Sequence, residues 1–287
     1  MSNTAPFLNS DCWTKNSDGM WIQQGTDIPT TAFSSETQKG LMELEDNSWW
    51  FRYRAKVIVH LMKRFFKNEL LTVDIGGGNG YTSSNAESQG FRAGLIEPTM
   101  AACFNALARG LELVCCGALT DESVIDGSIN QVLMLDVLEH IEDDAGMLKL
   151  LIKKMTAGGT LLITVPAFMS LWSSEDESAG HFRRYRIKSI EKLVEEAGLE
   201  LLYSNYFMGF LYLPILLVRV WMEKIGVIKR TDQRSSEEGA EISDRQFICR
   251  NRIVNFGLNA LQKTEIKMLA KSHTVPFGSS IVIVAKK

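Results

Sequence analysis

The stretch LLTVDIGGGNGYTSS, residues 70–84, closes an apolar run with an acid, Asp74. It then sets four glycines in five residues, Gly76, Gly77, Gly78 and Gly80. Glycine reaches positive φ without a Cβ clash and lets backbone lie close to a ligand, but four together weaken any regular strand or helix. A glycine loop after the first strand of an α/β sheet holds a nucleotide-like ligand at the carboxyl edge of the strands. Three ligand chemistries compete for it. A triphosphate loop needs Gly-Lys-Ser/Thr, and the chain reads Gly80-Tyr81-Thr82 with no lysine. A dinucleotide loop reads G-x-G-x-x-G, and its third glycine would fall at Tyr81. The spacing here is Asp74-x-Gly76-x-Gly78-x-Gly80, with the third glycine one residue early and an acid in front.

That difference has chemical content. A dinucleotide lays a doubly charged pyrophosphate on a helix N-terminus. S-adenosylmethionine (SAM) has no phosphate and brings a cationic sulfonium, an ammonium and a carboxylate. An acid at the strand end suits the cationic part, and the glycines let backbone lie against the ribose and methionine. Glu97 closes the second strand, where a carboxylate accepts hydrogen bonds from both ribose hydroxyls. The spacing favours SAM over a nicotinamide cofactor, so an NAD-dependent oxidoreductase is the weaker reading. A SAM-binding protein without turnover is the other rival.

Methyl transfer from SAM is an in-line displacement in which positioning and desolvation do much of the catalysis. A base is needed where the nucleophile must lose a proton. Of four histidines, His60 falls in a helix and His273 in a late loop. His140, in DVLEH, and His181, in EDESAGHFRRYR, are the candidate bases. Asp136, Glu139 and His140 have the types to bind a divalent metal, or else they brace the loop. His181 is either a base or a brace between loop and helix. Arg183, Arg184 and Arg186, with Tyr185 among them, form either a solvated face or an anion clamp. Trp49, Trp50 and Phe51 stand in a row before Arg54. Three consecutive aromatics cannot all face one core stripe, so either some of them cover a cofactor or they pack in the core beside an exposed Arg54.

These residues need a frame. Strand-like runs at 70–74, 92–97, 112–116, 131–136 and 160–165 alternate with helical patterns at 81–89, 100–109, 141–155 and 187–197. Gly90, Gly110 and Gly198 act as stops. The alternation predicts a parallel sheet wrapped by helices. Ser48 can cap a helix over 49–66. Residues before it read as an extended arm. A strand to about 206, a helix over 247–261 and the β-rich SSIVIVAKK complete the pattern. The polar run 229–245 reads as a loop.

Composition sets further bounds. The 287 residues carry a formal net charge of −3, which disfavours a nucleic acid as main partner. The five cysteines include no C-x-x-C pair, so zinc is not expected and the usage is that of a reducing, cytoplasmic compartment. The N-terminus has no secretory pattern.

The chain resembles the class I SAM-dependent methyltransferases. VDIGGGNG, LIEP, LDVLEHIEDD, AGGTLLITVPA and LWSSEDESAGHFRRYR occur in order at that family's spacings. The resemblance is closest to a bacterial subgroup with WWF and an arginine before the glycine loop and GHFRRY after the fifth strand. It implies a Rossmann-like α/β fold with seven strands, helices on both faces and the last strand antiparallel. It implies cofactor contacts from Trp50, Arg54, Asp74, Gly76, Gly77, Gly78, Asn79, Gly80, Glu97, Pro98, Ala118, Leu119, Asp136 and Val137, with Arg54 meeting the carboxylate of SAM. It also implies S-adenosylhomocysteine as product. Where many relatives have Gly-Asp after the third strand, contacting the adenine amine, this chain has Cys116-Gly117-Ala118-Leu119; backbone or Asp121 would substitute. The similar ubiquinone O-methyltransferases bind metal through a cluster like Asp136, Glu139 and His140.

The family pattern divides the chain into an arm (1–47), a SAM-binding core (48–206), a lid or substrate insertion (207–278) and a last strand (279–287). The apolar run YFMGFLYLPILLVRVWMEK from Tyr206 is too short to cross a bilayer, and Pro214 is expected to break or kink any helix in it. It can serve as a lid, a homodimer surface or a peripheral membrane contact. As a lid, Phe207, Phe210, Leu211 and Leu213 would wall a pocket for a small acceptor with an apolar part, joined by Trp172, Arg184 and Tyr185. Methylation at oxygen is favoured over nitrogen or carbon.

Overall fold

The computed structural model describes residues 5–25, 42–227, 252–271 and 273–287. Nine strands form one sheet: β1 (Trp13–Lys15), β2 (Trp21–Gln23), β3 (Leu71–Ile75), β4 (Arg92–Glu97), β5 (Val114–Cys116), β6 (Ile129–Leu135), β7 (Met155–Pro166), β8 (Glu200–Phe207) and β9 (Ser280–Lys286). Their order is β1-β2-β5-β4-β3-β6-β7-β9-β8. From β2 to β7 neighbouring strands are parallel, and β9 runs antiparallel to both β7 and β8. The central strands are buried on both faces, which is why they read as unbroken apolar runs. Cys115 and Cys116 show the two faces directly, since one joins the core cluster on one side and its neighbour the cluster on the other.

The helices are α1 (Trp49–Phe65), α2 (Tyr81–Glu87), α3 (Met100–Ala108), α4 (Asp144–Lys154), α5 (Ser174–Ser178), α6 (Ile187–Glu196) and α7 (Arg252–Ala270). Ser48 caps α1, its hydroxyl accepting from Trp50 N–H at 3.0 Å and Phe51 N–H at 3.4 Å. Residues 247–251 and the polar run 229–245 lie outside the described residues.

Two expectations are corrected. Among the described residues the sheet has nine strands, not seven, because the N-terminal segment contributes the hairpin β1–β2, which pairs with the edge of β5. An open edge offers unpaired backbone groups that even a three-residue strand can satisfy. Trp13 pins the hairpin, its Nε1–H donating to Ser123 O at 2.7 Å. Pro214 does not break the helix in the apolar run. It lies in the first turn of the helical segment 212–224, where its missing N–H is not needed. Beyond it the turns widen into a π-helix over Ile215–Trp221.

Candidate active site

The glycine loop leaves β3 and enters α2. Gly76, Gly78 and Gly80 take φ of +70°, +57° and +70°. A Cβ at Gly77 would lie 2.3 Å from Leu95 Cδ1 and 2.6 Å from Asp74 Oδ2, so the loop rests on the Asp74 carboxylate. A Cβ at Gly78 would meet only open space, so this part of the loop faces outward. Asp74 is almost wholly buried. Its Oδ2 accepts from Ser83 Oγ at 2.7 Å, and its Oδ1 has no partner. Burial pushes its pKa up to about 6.

Glu97, at the end of β4, is tied to the same loop. Its Oε2 accepts from Gly78 N–H at 3.0 Å and its Oε1 from Thr99 N–H at 2.9 Å. Burial raises this carboxyl too. Each oxygen keeps a second lone pair for a further donor. Pro98 follows, half-buried. Asn79 is buried, donating to Glu45 and accepting from Asn105. Ala118 N–H donates to Gln23 Oε1 of β2 at 2.7 Å, and Leu119 is buried in the core. Asp121 is drawn to Lys153 and Lys154, where hydrogen bonds from both hold its carboxyl below the usual range.

Asp136 follows β6 with φ of +55°, rare for a non-glycine residue. Both its oxygens are engaged: Oδ2 is 2.7 Å from Arg54 Nη2, and Oδ1 accepts from Thr164 Oγ1 at 2.9 Å. Arg54 also donates to Thr164 Oγ1 at 3.1 Å, and its guanidinium lies 5.6 Å from the Trp50 ring centre. Its buried Nε–H has no acceptor. Val137 packs under Gly76, whose added Cβ would fall 2.8 Å from its Cγ2.

Beyond Asp136 lies a cavity of about 340 Å³ lined by Trp50, Asp136, Glu139, Pro166, Glu175, Asp176, Ala179, His181, Arg184, Ile215, Ser279 and Ser280. Asp176 organises one wall. Its Oδ1 is 2.8 Å from His181 Nδ1 and accepts from Arg184 Nε at 2.7 Å, while Oδ2 accepts from Arg184 Nη2 and Ser173 N–H, each at 3.0 Å. Burial alone would raise this carboxyl, but the bonds from His181 and Arg184 hold it below the usual range. Glu139 is buried with its Oε2 unpaired, and burial, then Asp136, push it well above the usual range. Partial desolvation, then His181, hold His140 below the usual imidazole range. The two imidazole centroids are 4.6 Å apart.

Glu139, His140 and His181 each bring one ligand atom within 4.8 Å of the others. The metal expectation is therefore changed in membership, since Asp136 is occupied by Arg54 and Thr164 and His181 takes its place in the cluster. Two imidazoles and a carboxylate suit a borderline transition-metal ion better than magnesium, which takes oxygen ligands.

Several of the expected acceptor residues do not line this cavity. Tyr185 donates to Asp144 Oδ2 at 2.8 Å and braces the loop, and Trp172 donates to Glu177 at 3.4 Å. Phe207 is buried within β8. Phe210 packs on Trp49 and Tyr53 at ring distances of 6.2 and 5.7 Å, Leu211 packs partly buried on the core, and Leu213 is exposed. Among the described residues of the apolar run, Ile215 lines the cavity. Sequence reading passed over Asp176, although Ser173-x-x-Asp176 has the form of a capping box. Ser279 and Ser280 carry no such signal.

The sequence matches the methyltransferase-domain family over residues 50–204, more than half the chain. The chain belongs to that family. Its sheet order and glycine loop are those of the class I methyltransferases, whose cofactor is SAM. The fold resembles phosphoethanolamine N-methyltransferase 2 of Haemonchus contortus bound to SAM, with 15% identity and TM-score 0.56, covering 93% of this chain and 61% of that one. It resembles a SAM-dependent methyltransferase of Archaeoglobus fulgidus, with 16% identity and TM-score 0.50, over 83% and 100%. It also resembles geranyl diphosphate C-methyltransferase of Streptomyces coelicolor A3(2), solved with Mg2+ and S-adenosylhomocysteine, with 12% identity and TM-score 0.53, over 90% and 83%. No curated protein matches the sequence. The chain spans about three fifths of the Haemonchus enzyme.

The residues present fit SAM. A buried acceptor at Asp74 Oδ1 and a buried donor at Arg54 Nε are both without partners. They suit a ligand carrying a cation and a carboxylate, and the positive-φ glycines leave its side of the loop clear.

Proposed function

We propose that the chain transfers a methyl group from SAM to an oxygen of a small acceptor, and that the acceptor occupies the cavity beside Asp136. The acceptor has an apolar part, which Ile215, Pro166 and Ala179 would meet. The sulfonium C–S bond breaks as the new O–C bond forms, and the acceptor proton passes to His181. S-adenosylhomocysteine leaves uncharged at sulfur. Asp74, Glu97 and the glycines hold the donor, and Arg54 meets its carboxylate.

The observation carrying this reading is the Asp176–His181 pair in the cavity wall. A carboxylate on Nδ1 fixes the ring's tautomer and supports the proton gained on Nε2. Nitrogen acceptors that are already deprotonated would not need such a base. The test is a product-identification screen with labelled SAM and candidate alcohols, phenols and amines. Methylated oxygen products that require His181 support the reading. A protein that binds SAM but turns over none of them would be a silent binder.

The ligand atoms within 4.8 Å favour a second reading, in which a divalent ion on Glu139, His140 and His181 would activate the acceptor oxygen in place of a base. Loss of turnover on chelation, restored by one transition metal, would select it.

A further inference from the structure

Glu139 stands in the turn after β6 and lines the same cavity as His181. It is only 1% exposed, and its Oε2 has no hydrogen-bond partner. A buried carboxyl oxygen left unpaired destabilises the fold, so such a group in a cavity wall marks a place where a ligand completes the bonding. The two guanidiniums that act on this carboxyl electrostatically are committed elsewhere. Arg54 holds Asp136 and Thr164 through Nη2. Arg184 holds Asp176 through Nε and Nη2, and Ala167 O through Nη1 at 3.2 Å.

The place of this oxygen is fixed relative to the proposed base. Phe182 N–H donates to Glu139 O at 2.7 Å, which ties the turn to the residue after His181. Glu139 and His181 offer ligand atoms within 4.8 Å of each other. His140, the third member of that group, is exposed and does not line the cavity. A molecule in the cavity therefore meets an imidazole and a carboxyl side by side.

We infer that Glu139 binds the methyl acceptor, and that the acceptor carries a second hydrogen-bond donor, a hydroxyl or an amino group, on the carbon next to the one bearing the reacting hydroxyl. This rests on the methyl-transfer reading above. The reacting hydroxyl donates to the His181 imidazole, and the second group donates to Glu139 Oε2. A carboxyl offers an acceptor lone pair in either protonation state, so the contact does not depend on its ionisation. Two donors on adjacent carbons can span two ligand atoms no more than 4.8 Å apart, each through a bond of about 2.8 Å. An acceptor with a lone hydroxyl would leave Oε2 buried and unpaired, and sites built around a buried polar group discriminate against ligands that do not satisfy it.

The test is NMR titration of the full chain saturated with S-adenosylhomocysteine, with a chelator present. The probes are hexane-1,2-diol, 1-aminohexan-2-ol, 1-methoxyhexan-2-ol and hexan-2-ol. All share the apolar tail and the hydroxyl. The diol and the amino alcohol add a donor, whereas the methoxy compound adds an oxygen that cannot donate. The diol or the amino alcohol should bind at least tenfold more tightly than the methoxy compound and hexan-2-ol, and the tighter of the two identifies the donor. Glu139→Ala should erase that ratio, and Glu139→Gln, which keeps an acceptor oxygen, should keep part of it. A loss of packing alone would weaken all four probes together and leave the ratio intact. Circular dichroism checks the fold of both variants, and the glutamine variant alone decides where the alanine variant does not fold. No preference in the unaltered chain, or a ratio undiminished in the folded variants, would overturn the inference. So would a preference seen only when a transition-metal ion replaces the chelator, because the carboxyl would then be a metal ligand. No methyl group moves in this assay. A preference that depends on Glu139, with no methylated product from any probe or screened acceptor, would leave the contact standing and sink the methyl-transfer reading instead.

Discussion

Asp176 bridges His181 and Arg184 with one carboxylate: its Oδ1 lies 2.8 Å from His181 Nδ1 and 2.7 Å from Arg184 Nε. The arginine fixes the carboxylate in plane, and the carboxylate fixes the imidazole. His181→Ala should therefore lower turnover about 10²-fold with SAM affinity unchanged. Asp176→Asn should lower it less, about tenfold, and change its pH dependence, because the ring stays but loses its charged support. Single-turnover rates beside calorimetric SAM affinities check both. Turnover unchanged in His181→Ala but lost in His140→Ala and on chelation would favour the metal reading.

The glycine loop gives a prediction about the donor. Gly78 has φ of +57° and open space where a Cβ would stand, so valine there strains the backbone and intrudes on the cofactor's side. Gly78→Val should abolish SAM binding while the chain stays folded. Glu97→Ala should weaken SAM about ten- to a hundredfold, the scale of a lost charged hydrogen-bond acceptor. Calorimetry reads both. Near-normal affinity in Gly78→Val would place the cofactor elsewhere.

Acidity should separate fold stability from donor binding. Burial raises the Asp74 pKa to about 6 in the fold, against about 3.9 for an unperturbed Asp. Its contribution to stability of the free chain is thus complete below about pH 4 and is lost as pH rises through about 6. A cationic ligand prefers the ionised acid, so SAM affinity should be highest above pH 6 and fall about tenfold per unit below it. The two trends run in opposite directions between pH 4 and 6. Asp74→Asn should remove the step near pH 6 from both thermal unfolding and calorimetry. A step that persists in that variant would belong to another group.

Much of this frame is legible in the sequence, for reasons the structure makes concrete. The strands that became β3 to β7 are largely buried on both faces, so each carries a legible apolar run. The hairpin β1–β2 is not legible, because strands of three residues have no periodicity and depend on the β5 edge for pairing. The acid type of Asp74 is legible, but its burial is not, since that follows from Gly77 folding over it. Apolar character alone did not say which way the residues after β8 point. Phe210 turns to Trp49 and Tyr53, whereas Leu213 turns outward.

Gln23 is a residue that only the hairpin explains. Its Oε1 accepts from Ala118 N–H at 2.7 Å, and a Cβ on Gly117 would fall 2.4 Å from that same oxygen. The side chain thus sets the loop where adenine is expected. Gln23→Ala should leave the Ala118 N–H without its acceptor, cost about 1 kcal/mol of stability and weaken SAM about fivefold. Gln23→Glu keeps an acceptor and should lose less of each. Equal SAM affinity in all three forms would detach this hairpin from the donor site.

Arg54 supplies the sharpest test, because it is asked to serve the fold and the donor through different nitrogens. Its Nη2 holds Asp136 Oδ2 at 2.7 Å and Thr164 Oγ1 at 3.1 Å, while its buried Nε–H is without an acceptor. Removing one member of a largely buried pair strands the other's charge and costs about 3 kcal/mol. Part of the Asp136 side chain reaches solvent, 28%, which moderates that figure for Arg54→Ala. Lysine restores a charge that can reach Asp136 but has no second, forked donor for a ligand carboxylate. Arg54→Lys should therefore recover much of the melting temperature lost in Arg54→Ala, yet bind SAM at least tenfold more weakly than the unaltered chain. Thermal melts beside calorimetry separate the two effects. Recovery of SAM affinity together with stability in Arg54→Lys would mean that the arginine only braces Asp136 and that the carboxylate of SAM is held by another group.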